Sequence, residues 1–259
     1  MTRILAVTNQ KGGVGKTTTS VNLAAGLAQS GMRVLLVDLD PQGNATMGSG
    51  IDKRTLQTSI YQVLLGLATA DSARQKSESG GYDLIPANRD LAGAEIELVN
   101  LEHRESRLKT ALGSIAGQYE FILLDCPPAL NILTLNGLVA ANAVMIPMQC
   151  EYYALEGLSD LVNTIKKVRQ HLNPKLDIEG LLRTMYDPRN TLAQHVSAQL
   201  LEHFGKKVYE TVIPRNVRLA EAPSFGAPAV KLDRECKGSQ AYVALAGEIL
   251  VRNGIAAAA

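Results

Sequence analysis

Short apolar runs and helix-patterned segments alternate along the chain. The apolar runs, each as long as a buried strand, lie at residues 4–7, 33–37, 82–86, 120–125, 143–147, 178–182 and 207–212. Segments with the apolar spacing of a helix lie among them, at residues 21–27, 106–112 and 242–252. Strands separated by helices build parallel sheets that are covered on both faces. The pattern predicts an α/β fold with a mostly parallel twisted sheet and helices on both faces.

The chain is expected to form a single domain over residues 1–259. Its 259 residues, 46% of them hydrophobic, are enough for one large core, and no linker or internal repeat interrupts the alternation. Residues 48–81 are the least informative, being polar with intermittent helical spacing at Ile60, Val63, Leu64 and Leu67. The four alanines at 256–259 are expected to form a frayed end.

Charge and cysteine content narrow the classes of function. The formal net charge is only +1, so any contact with DNA must come from a local patch. Cys126, Cys150 and Cys236 lack metal-type CxxC spacing and cannot all pair, which favours a reducing cytoplasm. No apolar run approaches the roughly 20 residues that span a bilayer, and the N-terminus enters a strand by residue 4. We expect a soluble cytoplasmic protein without a signal peptide or a membrane partner.

A glycine-rich segment joins the first apolar run to the first helical segment. It reads Lys11-Gly12-Gly13-Val14-Gly15-Lys16-Thr17-Thr18. Such glycines let backbone N–H groups turn inward around an anion, and the following helix N-terminus adds partial positive charge. Lys16 supplies a point charge for phosphate, and Thr17 offers a hydroxyl to Mg²⁺. The segment predicts binding of a nucleoside triphosphate.

Two details make this loop unusual. The generic pattern has glycine five residues before Gly15, where this chain has Gln10, and a second lysine, Lys11, stands beside it. Lys11 is poorly placed for the phosphates of its own chain, because Lys16 and the loop amides already hold them. It could instead reach a nucleotide held by a neighbouring subunit. The alternative interpretation is an ordinary solvated loop lysine.

Carboxylates end two of the apolar runs. Asp125 ends one of them, and Asp38 and Asp40 follow another. Open α/β sheets bind ligands at the carboxyl edge, so these acids are placed to reach Mg²⁺ or the terminal phosphate. Each has a structural alternative, since an aspartate at a strand end often caps a turn. Cys126 is expected to be a packing residue, because a neighbouring carboxylate disfavours its thiolate.

Together these segments resemble the deviant Walker A ATPases, the group that includes ParA/Soj partition proteins, MinD and the nitrogenase iron protein. The likeness covers nearly the whole chain. Its motifs are Val-Thr-Asn-Gln-Lys-Gly-Gly-Val-Gly-Lys-Thr-Thr, Leu-Asp-Pro-Gln-Gly-Asn-Ala-Thr, Asp-Cys-Pro-Pro and Arg-Leu-Ala-Glu-Ala-Pro-Ser-Phe-Gly. The last motif looks like the chromosomal ParA/Soj branch specifically. The resemblance implies a weak Mg-dependent ATPase that forms a face-to-face homodimer when ATP is bound.

The resemblance also implies a role for each residue of the phosphate end. Lys11, Lys16 and Asp40 would be catalytic, with Lys11 crossing the dimer interface and Asp40 positioning the attacking water. Thr17, Asp40 and Asp125 would serve Mg²⁺, in the case of Asp125 commonly through water. Asp38 would support the metal indirectly or tie down the loop.

The family places adenine at two late loops, which match residues 183–187 and 213–216 of this chain. The residues implied to bind ATP are Lys11, Gly12, Gly13, Val14, Gly15, Lys16, Thr17, Thr18, Glu151, Met185, Pro214, Arg215 and Asn216. Asn216 has the paired donor and acceptor that an adenine edge requires, and Met185 and Pro214 offer apolar faces. Without the resemblance, Asn216 would be interpreted as a turn residue. Glu151 resembles the acid that meets the early lysine or the ribose across the interface.

Basic residues near the late loops form a candidate DNA-binding set. Its members are Arg189, Arg218, Lys231 and Arg234. A two-fold dimer would double this thin patch into a surface for a duplex backbone, although such residues are solvated surface charges in most proteins. Arg189 matches the Soj-like DNA-binding arginine. The resemblance further implies non-specific double-stranded DNA, association with the nucleoid, and a ParB-type centromere-binding partner that triggers hydrolysis.

Three other classes of function fit the sequence less well. A MinD-like positioning ATPase should end in a basic amphipathic helix, but residues 242–252 contain Glu248 and a single arginine. A nitrogenase-type electron carrier needs two cysteines per subunit for its cluster, and Cys126 is already assigned to packing. A metabolic kinase or ligase would need a substrate lid and would not need Lys11.

Overall fold

One sheet organises the part of the chain that the structure describes, which in this computed structural model is residues 2–255. Within that range eight strands pair in the order β3-β4-β2-β5-β1-β6-β7-β8. Their bounds are β1 (Arg3–Val7), β2 (Val34–Asp38), β3 (Gln75–Ser77), β4 (Tyr82–Ile85), β5 (Phe121–Asp125), β6 (Ala143–Gln149), β7 (Asp177–Tyr186) and β8 (Val208–Pro214). Only β3 runs antiparallel to its neighbour in this sheet, which confirms the predicted mostly parallel architecture.

Helices cover both faces of the sheet. Over residues 2–255 they are α1 (Lys16–Gln29), α2 (Asn44–Gly48), α3 (Ile60–Leu65), α4 (Ala70–Ala73), α5 (Leu91–Glu97), α6 (Arg107–Gly113), α7 (Ile132–Ala140), α8 (Ala154–His171), α9 (Thr191–Phe204), α10 (Val217–Glu221), α11 (Ala229–Leu232) and α12 (Lys237–Arg252). Alternate strand residues enter opposite cores: Leu35 and Val37 pack on one face, and Leu36 packs on the other. None of these helices combines the length and the apolar character needed to cross a membrane.

Three details differ from the sequence-based expectations. Helix α3 ends at Leu65 because Gly66 adopts a left-handed conformation there, so Leu67 is 72% exposed instead of extending the helical face. The antiparallel strand β3 was not predicted, because its three residues are polar. Helix α12 begins at Lys237 and not at 242, since Cys236 caps it and its first turns carry small residues. The alanines at 256–259 lie outside the described residues.

The parallel register brings the predicted acids to one edge of the sheet. Strands β2 and β5 are neighbours, and Asp38 lies opposite Asp125 in their register. On its other side β5 pairs with β1, which places Val7 opposite Asp125. The loop that leaves β1 therefore starts directly beside both carboxylates, as expected for the carboxyl edge of an open α/β sheet.

Two glycines join helix α2 to the segment before α11. A Cβ atom added to Gly50, which has φ +83°, would lie 2.8 Å from the carbonyl oxygen of Gly226. Ser79 Oγ donates hydrogen bonds to the carbonyls of both Gly226 and Ser49, at 3.0 and 3.3 Å. The contact fixes α2, which follows Asp40 and Gly43, against the late part of the chain.

Replacing Gly50 should reveal the cost of this close approach. Gly50→Ala and Gly81→Ala both place a side chain at positive φ, but the Cβ of Gly81 would enter open space. We expect Gly81→Ala to cost about 1 kcal/mol and Gly50→Ala about 2 kcal/mol more, since its added methyl meets backbone. Urea unfolding of the two variants measures the difference. Equal losses would mean that the Gly50–Gly226 contact is not tight.

Candidate nucleotide-binding site

The glycine-rich loop forms an open cradle at the carboxyl end of β1. Gly13 and Gly15 have φ values of +74° and +88°, and a Cβ atom on Gly12 or Gly13 would meet nothing within 4 Å. Helix α1 begins at Lys16, so its free N–H groups face the cradle. The geometry suits an anion held by backbone N–H groups, and anion binding at this loop stays the prediction made from the sequence.

Lys16 is the cation of this cradle. It is 7% exposed, and its Nζ donates a hydrogen bond to the carbonyl of Lys11 at 3.1 Å. Burial lowers the pKa of Lys16, while the charges of Asp125 and Asp40 oppose that shift. An ammonium has three donors, so two remain for phosphate oxygens.

Asp125 connects the sheet to the cradle. The residue is fully buried, and its two carboxylate oxygens accept hydrogen bonds from Thr17 Oγ1 and Ser20 Oγ, each at 2.8 Å. Thr17 and Ser20 lie on one face of α1, three residues apart. The hydroxyl expected to bind Mg²⁺ is thus held by the carboxylate expected to assist it.

Asp38 ties down the loop that follows β2, one of the two roles considered for it. One of its oxygens accepts from Thr46 N at 2.8 Å and Thr46 Oγ1 at 2.7 Å, and the other accepts from Asp40 N at 3.1 Å. Asp38 is fully buried. Burial raises the pKa of Asp38 and of Asp125, and repulsion between the two adjacent carboxylates raises the pKa of Asp125 further.

Asp40 combines the two interpretations of its sequence position. Its Oδ1 accepts a hydrogen bond from Gln42 N at 2.9 Å, which is a local turn. Asp40 also lines the cavity above the loop. The turn fixes the carboxylate at the phosphate end of that cavity.

A cavity of about 400 Å³ runs from the glycine-rich loop to the ends of β7 and β8. Eleven predicted residues line it: Gly12, Gly13, Gly15, Lys16, Thr17, Thr18, Asp40, Met185, Pro214, Arg215 and Asn216. Of the remaining predicted nucleotide and metal residues, Lys11, Val14, Glu151 and Asp125 are not in the lining. The cavity therefore joins the predicted phosphate end to the predicted adenine end.

The adenine end has two special features. Met185 is a non-glycine residue with φ +48°, and its sulfur accepts a hydrogen bond from Gln149 Nε2 at 3.0 Å. Asn216 is the N-cap of α10, where its Oδ1 accepts from Arg218 N at 2.9 Å. The cap uses the side-chain oxygen, so the side-chain nitrogen is the atom available for the predicted contact with a base.

Lys11 and Glu151 pair at the mouth of the cavity. Lys11 Nζ donates to a Glu151 carboxylate oxygen, and the two side chains are 44% and 50% exposed. The backbone N–H of Lys11 donates to Asn9 Oδ1 at 3.0 Å, so the loop itself is fixed at this point. The second lysine therefore lies outside the cradle that Lys16 serves.

Sequence reasoning did not identify several residues of the site. Thr184 lies in the predicted late loop at 183–187, but its contact was not predicted: its Oγ1 donates to the carbonyl of Val14 at 2.8 Å and so joins β7 to the glycine-rich loop. Tyr242 Oη lies 3.0 Å from Thr19 Oγ1 and lines the cavity from α12. Ser20 was detectable from its spacing to Thr17, but nothing local marks Tyr242 or the bond that Thr184 makes. Ile213, which also lines the cavity, belongs to the predicted loop at 213–216, whereas Asn44, Pro128, Leu219 and Ala220 were not predicted.

The donor set fits magnesium bound together with phosphate. Residues 2–255 hold no cluster of three or more His, Cys, Asp or Glu side chains that could bind a metal ion. Mg²⁺ usually takes one or two protein oxygens and completes its shell with water and substrate phosphates. Thr17 offers such an oxygen, and Asp125 lies directly behind it.

The predicted DNA-binding residues lie near the same edge of the sheet. Arg189, with its side chain 89% exposed, follows β7 and makes a two-pronged ion pair with Asp187. Arg218, after β8, pairs with Glu221 and Asp233 at 3.1 and 3.3 Å. Lys231 belongs to α11, and Arg234 follows that helix.

Cys126 is buried as predicted, at 1% exposure. Burial, reinforced by the charge of Asp125, raises the pKa of its thiol. The sulfur contacts the position of Gly137 in α7, where an added Cβ would lie 2.9 Å from it. Cys126 therefore acts as a small packing residue.

Comparisons with known proteins agree on one family. A family model described as an AAA domain matches residues 2–178. The chain is 53% identical to the chromosome partitioning protein ParA of Caulobacter vibrioides, covering 96% of this chain and 94% of that protein. It is also 53% identical to the sporulation initiation inhibitor protein Soj of Bacillus subtilis, with 96% and 98% covered.

A solved structure supports the fold. The cobyrinic acid a,c-diamide synthase of Mycobacterium smegmatis, crystallised with ADP and magnesium, superposes with a TM-score of 0.87 at 41% identity. The match covers 98% of this chain and 96% of that one. The nucleotide and the metal belong to that structure.

The buried acids should make the nucleotide-free protein less stable as the pH rises. Their raised pKa values keep protons on the folded state after the unfolded chain has ionised near its ordinary value of about 4. Stability then falls by up to about 1.4 kcal/mol per pH unit for each group. Asp125→Asn should flatten this decline, measured by urea unfolding from acidic to neutral pH. An unchanged slope would mean that Asp125 does not hold a proton in the folded state.

Proposed function

The chain belongs to the ParA/Soj family of chromosome-partitioning ATPases, and from this premise we propose that it is an ATP-driven dimerisation switch that binds DNA non-specifically. A ParB-type centromere-binding partner would stimulate hydrolysis and so release the DNA. In this scheme the protein acts in the cytoplasm, associated with the nucleoid.

The observation that carries the proposal is the position of Lys11. The cavity has its own buried lysine, Lys16, while Lys11 lies half exposed at the mouth and outside the lining. A second cation at that place has no phosphate of its own chain to neutralise. It is suited to a nucleotide in a partner subunit, which would make ATP part of the dimer interface.

The phosphate end supplies the groups that hydrolysis needs. Lys16 and the loop amides bind the phosphates, and Asp40 orients the attacking water at the cavity wall. Bound Mg²⁺ would neutralise phosphate charge, held by Thr17 with Asp125 behind it. Asp38 keeps the Asp40 loop in place through its bonds to Thr46 and Asp40 N.

Two other functions receive less support. In a MinD-like positioning ATPase the last helix would meet a membrane, but α12 buries Tyr242, Leu245 and Ile249 in the core. The similarity to the diamide synthase suggests an ATP-dependent amide-forming reaction as a second candidate. The chain is, however, 53% identical to the partition protein and 41% identical to the synthase. ATP turnover stimulated by DNA and partner, and not by a carboxylic acid with an amide donor, separates these functions.

The two lysines should separate binding from dimerisation. Lys16→Ala should lose ATP affinity, because it removes the cation buried in the cradle. Lys11→Ala should bind ATP with affinity near that of the wild type yet remain a monomer, since its proposed phosphate partner belongs to the other chain. Size-exclusion chromatography with ATP, ADP and no nucleotide, together with titration of fluorescent ATP, measures both properties. Full ATP-induced dimerisation of Lys11→Ala would contradict the proposed interface.

Arg189 should contribute to DNA affinity through phosphate contacts. Arg189→Ala should weaken binding of the ATP-bound protein about equally for unrelated sequences and flatten its salt dependence by about one counterion per site. ATPase activity without DNA should be preserved. Filter binding over a range of salt concentrations measures the slope.

Arg54 provides a matched control for Arg189. It is 79% exposed and makes the same two-pronged pair with an aspartate two residues earlier, Asp52. Arg54→Ala therefore removes an equivalent charge from a residue outside the predicted DNA-binding set. The DNA assignment is wrong if both variants bind alike.

A further inference from the structure

Strand β8 contains a bulge shortly before it reaches the cavity. Leu181 of β7 lies opposite Val208, and Arg183, two residues on, lies opposite Val212, four residues on. Residues 209–211 are therefore partly out of the ladder, and their backbone groups need other partners. The strand then continues to Pro214 and Asn216, which line the adenine end of the cavity.

Arg183 satisfies the carbonyl side of the bulge. Its guanidinium donates to the carbonyls of Tyr209 and Glu210 at 2.8 and 3.2 Å, and to Ser197 Oγ at 2.9 Å. Arg183 is 8% exposed. All three partners are uncharged oxygens, and two of them are backbone carbonyls. The buried guanidinium therefore fixes the backbone of the bulge and does not pair with an acid.

Glu248 of α12 satisfies the amide side. Its two carboxylate oxygens accept from the N–H groups of Glu210 and Thr211, both at 2.9 Å. Arg252, one turn later, donates to the carbonyl of Val208 at 3.0 Å and pairs with Glu248 at 2.7 Å. Charged side chains therefore bind both the carbonyl groups and the N–H groups of the bulge. Hydrogen bonds to charged groups are stronger than those between neutral groups.

Arg183 is also adjacent in β7 to two residues that line the cavity, Thr184 and Met185. Thr184, the next residue in β7, bonds to the phosphate loop, and Met185 follows at positive φ. A shift of Arg183 would move the base-facing ends of both β7 and β8. Neither Arg183 nor Glu248 lines the cavity, so each acts through the strands it holds.

We propose that Arg183 and Glu248 are positioning residues for the nucleobase: by clamping the bulge at 209–211 they set the distance between Met185 and the Pro214–Asn216 turn. The phosphate end is formed mainly by the glycine-rich loop between β1 and α1, and the Thr184–Val14 bond links it to β7. The inference rests on the proposed binding of ATP in this cavity, and it assigns part of the affinity for the base to two residues remote from it.

Comparing ATP with inorganic tripolyphosphate tests this division. Arg183→Met should lower ATP affinity about tenfold, a loss of about 1.4 kcal/mol, because the base then meets a displaced turn. Tripolyphosphate with Mg²⁺, which uses only the phosphate end, should bind within about twofold of wild type. Glu248→Gln keeps one acceptor oxygen and should show the same pattern at about threefold. Its smaller perturbation carries the test if Arg183→Met does not fold.

Glu179→Gln is the control for general loss of stability. Glu179 lies in the same strand as Arg183 and has its side chain 7% exposed, but it pairs with Arg3 at the opposite end of β7. The Glu179→Gln variant should have a lower melting temperature but the same ratio of ATP affinity to tripolyphosphate affinity as the wild type. Equal losses for ATP and tripolyphosphate in Arg183→Met and Glu248→Gln, or no loss for either ligand, would overturn the inference. A wild-type protein that binds neither ligand would instead refute the proposed function.

Discussion

The site depends on burying two carboxylates side by side at the end of the central strands. Asp38 and Asp125 face each other in register on β2 and β5, and both are fully buried. Desolvation and mutual repulsion make this arrangement unfavourable for two charges. It persists because hydroxyls and backbone amides from α1, α2 and the loop between β2 and α2 surround the pair.

Through these bonds the Asp38–Asp125 pair connects helix α1 to the loop that follows β2. Asp125 holds the helix that begins the phosphate cradle, and Asp38 holds the loop that carries Asp40. From Thr46 the connection continues through α2 to Gly50, which packs against Gly226 near the basic segment around Lys231. The predicted phosphate and metal positions are thus connected to the late surface by a continuous set of hydrogen bonds and close contacts. A change at the metal has a short structural route to the proposed DNA face.

Local pattern was enough to predict the phosphate end and most of the sheet. A strand, a glycine-rich loop and a helix are contiguous in sequence, so Lys16 and Thr17 could be placed without tertiary information. The acids at strand ends followed from the parallel topology. The adenine end came from family resemblance alone, because Met185 and Asn216 are brought together only by the pairing of β7 with β8.

What the sequence did not predict arises from long-range pairing. No local period marks the contact of Tyr242 with Thr19, the bond from Thr184 to the glycine-rich loop, or the contacts of Arg183 and Glu248 with residues 209–211. Strand β3 and the first turns of α12 were missed for another reason, since polar or small residues conceal their buried positions. Ser77, Gly238 and Ser239 are buried without being apolar, so their environment is set by neighbours and not by hydrophobicity.

The exposed Lys11–Glu151 pair has a consequence for ionic strength. If Lys11 moves to a phosphate bound by a second subunit, its ammonium group exchanges one anionic partner, Glu151, for another. It does not start as a free, fully hydrated cation. Added salt screens both contacts, so it weakens the Lys11–Glu151 pair as well as the proposed Lys11–phosphate pair. The dimer would then be less salt-sensitive than its bound charges imply, while DNA binding keeps the steep dependence of counterion release. Subunit pairing and DNA capture would respond separately to the ion content of the cell.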